Sequence, residues 1–82
     1  MTATDPIAAQ IEQAITRAIP DARVEVIPGS PGHYALEVTS PAFAGKGLLA
    51  KQRMVYGAIT ALMSGPNAPV HAIDRLVTAT PD

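Results

Sequence analysis

Eighty-two residues with a formal net charge of −1, 48% hydrophobic and 16% charged, predict one small globular domain over 1–82. They fit neither a disordered acidic tail nor a dedicated basic nucleic-acid binder. The lack of cysteine excludes a disulfide framework, a thiolate metal site and a nucleophilic thiol within the chain, so a metal must be held by His, Asp or Glu unless a partner brings sulfur.

The opening MTATDPIAAQ lacks the basic start and apolar core of a secretory signal. No apolar run approaches the roughly 18 residues of a membrane span. The expectation is a soluble cytoplasmic protein with no membrane contact. Asp5-Pro6 is a helix start, because Asp accepts from free N–H groups and Pro suits the first helical position. Ile7, Ile11, Ala14, Ile15, Ala18 and Ile19 then recur every three to four residues, predicting a helix over 6–19 that Pro20 ends. Arg23 to Ile27 is β-branched and alternating, and reads as a strand. Pro28-Gly29-Ser30-Pro31-Gly32 is stiff turn chemistry.

A second strand runs over 33–39, with Tyr34, Leu36 and Val38 toward the helices and His33, Ala35, Glu37 and Thr39 on the less buried face. Ser40-Pro41-Ala42 breaks it, and Phe43 anchors the following loop. A helix to Met63 starts at Gly47 or Leu48. Its inward row is Leu48, Gln52, Val55, Ile59 and Leu62, and Gly57 implies close packing inside it. Gly65 to Pro69 forms a rigid link to a third strand over 70–78. There Asp74-Arg75 breaks the alternation, which a bulge would reconcile. The order helix, strand, strand, helix, strand makes an α+β fold, a small mixed three-stranded sheet with helices on one face.

The residues alone give weak chemical signals. His33 and His71 belong to no metal-binding spacing. Each is either an ordinary half-exposed histidine or a neutral imidazole ligand for iron or zinc that a partner completes. Gly45-Lys46-Gly47 is too short for a phosphate loop and misses the GxxG of nucleic-acid-binding KH domains. Lys46, Lys51 and Arg53 are cationic, yet Lys51 and Arg53 point about 200° apart on a helix. With a net charge of −1, a partner-directed contact is favoured over autonomous DNA affinity. No residue set supports an enzyme.

An ordered set of short pieces does resemble a known family. His33-Tyr34, Phe43-Ala44-Gly45, Lys51-Gln52-Arg53, Val55-Tyr56, His71-Ala72 and Thr80-Pro81 resemble, in that order, the pattern of BolA-like proteins, and Lys51-Gln52 resembles the IbaG-like branch. The resemblance implies a class II KH-like fold. It also implies a monothiol glutaredoxin partner sharing a 2Fe–2S cluster, with none held by the isolated chain. Carried over, His71 is the implied cluster ligand and His33 a second one, although the loop before His33 carries no further His or Cys. Lys46, Lys51, Gln52 and Arg53 are the implied partner or nucleic-acid surface. The alternative is a nucleic-acid-binding transcriptional regulator using the KH-like helix and loop, with weak DNA binding. Homodimer formation stays open.

Overall fold

A computed structural model describes residues 5–81 of the chain. The readings of MTAT as part of a non-signal start and of Asp82 as the closing residue fall outside them. Helix α1 spans Pro6–Ala18. The Asp5 carboxylate caps it, accepting from the backbone N–H of Ile7 at 2.8 Å and of Ala8 at 3.4 Å. Strands β1 (Arg23–Pro28) and β2 (His33–Thr39) form the expected antiparallel hairpin. A short 3₁₀ turn, Pro41–Phe43, leads to helix α2, Leu48–Met63. Strand β3, Ala72–Ala79, pairs parallel with β2. The sheet order is β1-β2-β3, so β2 is central.

The core follows from the two periodicities. Ile11, Ile15 and Ile19 come from the α1 stripe, and Val55 and Ile59 from α2. Tyr34, Leu36 and Val38 come from one face of β2, with Phe43 and Val70 from the connections. Aliphatic burial is the main stabilising term for such a chain, at about 25 cal/mol per Å² of apolar surface removed from water. Among the described residues Ser40 is the fully buried polar one, and it is satisfied. Its hydroxyl donates to the Pro20 carbonyl at 2.7 Å and accepts from the Ala42 N–H at 3.0 Å.

Three expectations need correction. The inward row of α2 starts late: Leu48 and its neighbour Leu49 are 62% and 59% exposed. The helix direction is right, but its first turn overhangs the core. Gly57 is not a close-packing site, because a Cβ there would meet nothing within 4 Å. The third strand begins at Ala72 rather than Val70. The Val70 N–H turns away to the Leu62 carbonyl at 3.1 Å, fastening the chain to the end of α2. The expected bulge is present. Ile73 lies opposite Tyr34 and Arg75 opposite Ala35, leaving Asp74 as the extra residue.

No helix among the described residues is long and apolar enough to cross a membrane.

Candidate functional site

The parallel pairing of β2 with β3 brings the two histidines to one corner of the molecule. His33 opens β2 opposite Ala72, and His71 immediately precedes Ala72. The turn after β1 is what holds His71 there. Its last residue, Gly32, has φ +81 and offers one carbonyl to two donors, the N–H of His71 at 2.8 Å and of Ala72 at 3.1 Å. The His71 ring packs on the Cα of that glycine. A Cβ on Gly32 would lie 2.5 Å from His71 Nδ1 and 2.7 Å from its Cγ. Gly32 is therefore required twice, for its left-handed backbone and for the bare surface beneath the imidazole. His71 is exposed, and its Nδ1 side faces Gly32, so Nε2 is the ring nitrogen turned away from this seat.

His33 is held differently. Its Nδ1 lies 3.0 Å from the Asp74 carboxylate, so Nε2 is its free ring nitrogen. Asp74 reaches it because the bulge sets that residue outside the regular pairing. The pair is half-exposed, so its contribution to stability is about 0–1 kcal/mol and its chief effect is to orient the imidazole. Below the corner, the Tyr34 hydroxyl donates to the second oxygen of Asp5 at 3.1 Å. Burial, then the hydrogen bond and charge of Asp5, raise the Tyr34 phenol above its ordinary value of 10.0. This bond ties the start of α1 to the start of β2.

The cationic residues are elsewhere. Val70 is bonded to Leu62, so the histidine corner sits at the end of α2. Lys46, Lys51, Gln52 and Arg53 sit at its beginning. At 1.5 Å per residue, Arg53 is about 13 Å from Leu62 along the axis. The pairing thus brings the backbones of His33 and His71 side by side and separates both from the basic segment. Lys46 and Arg53 are exposed, while Lys51 and Gln52 are half-buried.

The sequence by itself does not single out Gly32 or Asp74. Gly32 is one of two glycines in a turn-forming run, and nothing local marks which lies under a residue 39 positions later. Asp74 stands out in the sequence only as a break in alternation, and its bond spans 41 positions.

No group of three or more His, Cys, Asp or Glu among the described residues could enclose a metal ion. The corner instead presents one imidazole at the start of β2, His33, and one just before β3, His71. An exposed imidazole such as that of His71 fits as one ligand of a metal or cluster whose remaining ligands come from another molecule.

A family model described as BolA-like protein matches residues 5–82. The chain belongs to the BolA-like family. Solved structures agree. A bolA protein homologue from Coxiella burnetii is 32% identical, with a TM-score of 0.74 over 100% of this chain and 95% of that one. The BolA domain of SufE1 from Arabidopsis thaliana superposes with a TM-score of 0.77 at 23% identity, covering 96% of each chain. BolA1 from the same plant gives 0.72 at 18% identity, covering 95% of each. The latter two likenesses establish the fold. A search of curated proteins found no match. The α+β architecture, with its three-stranded mixed sheet and two helices, is thus that of BolA-like proteins.

Proposed function

We propose that this BolA-like protein is a one-domain, non-enzymatic binding module that works with a monothiol glutaredoxin and shares a 2Fe–2S cluster with it, in iron–sulfur trafficking or iron homeostasis. The observation that carries the reading is the exposed His71 imidazole, seated on Gly32 with Nε2 turned away from its support. The chain has no cysteine, so the thiolates come from the partner and the cluster sits between the two proteins. Histidine in place of a thiolate raises a cluster's reduction potential. In this reading His71 is the primary ligand, and His33, steadied by Asp74, is the second.

Lys51-Gln52 supports the IbaG-like branch. A cytoplasmic setting, where monothiol glutaredoxins and reduced thiols coexist, follows from the same reading. Nucleic-acid regulation is the weaker reading, because the 45–47 loop lacks the GxxG clamp and the chain is net acidic.

The test is a visible absorption and circular dichroism spectrum of the protein mixed with a monothiol glutaredoxin, iron, sulfide and glutathione, against glutaredoxin alone. The expected result is a changed spectrum that is lost in His71→Ala. A spectrum identical to glutaredoxin alone would refute the shared cluster, and an unchanged mixed spectrum in His71→Ala would remove His71 as its ligand.

A further inference from the structure

The start of α2 combines three features that the histidine corner does not use. It is apolar and exposed, with Leu48 at 62%, Leu49 at 59% and Tyr56 at 39%. Leu49, Arg53 and Tyr56 fall at i, i+4 and i+7, which puts them on one stripe. Leu48 lies about 100° to one side of that stripe, whereas the half-buried Lys51 lies about 160° from it and is not part of this surface. The segment is also purely cationic. Between Glu37 and Asp74 the sequence holds no acidic residue, yet it carries Lys46, Lys51 and Arg53, half of the six cations of a chain whose net charge is −1. Finally, the helix opens at Gly47 with no side-chain cap and no acid in its first turn, so the positive end of the helix faces outward unneutralised.

We propose that this surface docks an acidic amphipathic peptide segment of a second partner protein, whose leucine-like side chains cover Leu48, Leu49 and Tyr56 while its carboxylates meet Lys46 and Arg53. Charge complementarity selects the occupant. Among the described residues no carboxylate pairs with Lys46 or Arg53, and none caps the open helix end. The exposed leucines favour peptide over nucleic acid, because they give a phosphate backbone nothing to bond and would stay wet beneath it. The surface lies at the opposite end of α2 from His71 and does not rest on the cluster reading. A molecule with both sites can hold two proteins at once.

The test is a titration of the isotope-labelled full chain, followed by amide NMR, with a synthetic helical peptide carrying Glu on one face and Leu on the other. A peptide with Gln in place of Glu and a DNA duplex serve as separate arms. The expected result is saturable shifts over residues 46–56 and none at Gly32 or His71. Affinity should fall about tenfold or more in Leu48→Ser/Leu49→Ser and with the Gln peptide, and be unchanged in His71→Ala. Lys46→Gln/Arg53→Gln supplies a variant that leaves the apolar surface intact and should weaken binding comparably. No saturable shift, shifts centred on the histidine corner, or affinity indifferent to the leucines would overturn the proposal. So would DNA binding at the same residues that survives Leu48→Ser/Leu49→Ser, or a dimer of the chain that buries them.

Discussion

Replacing Gly32 by alanine separates two costs that are usually entangled. Three glycines have left-handed backbones: Gly32 at φ +81, Gly45 at +76 and Gly65 at +90. A Cβ at Gly45 or Gly65 would meet nothing within 4 Å, whereas at Gly32 it would overlap the His71 ring. Gly45→Ala and Gly65→Ala therefore pay only backbone strain, about 1–2 kcal/mol. Reduced freedom of the unfolded chain offsets about 0.4–1 kcal/mol of that, leaving about 1 kcal/mol.

Gly32→Ala adds displacement of the ring and strain on the two hydrogen bonds to the Gly32 carbonyl, worth about 1 kcal/mol more. The expected loss is about 2 kcal/mol, a fall in Tm of roughly 8–16 °C, against roughly 4–8 °C for the other two variants. Thermal and urea unfolding give the stabilities, and the histidine ring resonances report the imidazole. His71 signals should shift in Gly32→Ala and stay put in Gly45→Ala. In the His71→Ala background the excess penalty should shrink. Equal losses in all three variants, with His71 signals unmoved, would refute the glycine seat.

Two further outcomes follow from bonds described above. The folded state holds the Tyr34 proton more tightly than the unfolded chain does, so its contribution is fully present below pH 10.0 and is lost as pH rises through the higher folded value. Tyr34→Phe should cost about 1 kcal/mol near neutral pH and flatten the alkaline decline in urea midpoints, and parallel declines in both proteins would count against this. Ser40→Ala leaves the Pro20 carbonyl and the Ala42 N–H without their buried partner. It should cost about 2 kcal/mol in urea unfolding at unchanged m-value, and a loss under about 0.5 kcal/mol would show that these groups find other partners.

The regular parts of the fold were legible because periodicity reports burial. The α1 isoleucines and the Tyr34, Leu36, Val38 face are buried as their spacing demands. Even the bulge left a trace, since Ile73 and Leu76 both turn toward the core and cannot do so in an unbroken strand. What periodicity does not carry is where the layer stops. Leu48 continues the α2 row but lies beyond the elements that would cover it. Val70 looks like the first residue of a strand and is instead buried on a bond to a helix end. The site was half legible. Both histidines could be named, but their supports could not, because the Gly32 seat and the Asp74 carboxylate arise from contacts between distant parts of the chain.

The placement of β3 also bears on when the histidine corner comes into being. The hairpin and α1 are local, whereas β3 must cross the length of α2 before it can pair with β2. Such non-local pairing comes at the greatest loop-closure cost and is the natural late step of folding. The first bonds of that pairing are those to the Gly32 carbonyl, where the imidazole is seated. A strand docked one residue out of register would set a different side chain over the glycine. The seating of the His71 ring on Gly32 is thus a readout of completed, correctly threaded folding. In native-state hydrogen exchange, the His71 and Ala72 amides should open together with β3, so that release of the last strand and loss of the imidazole's seat are one event.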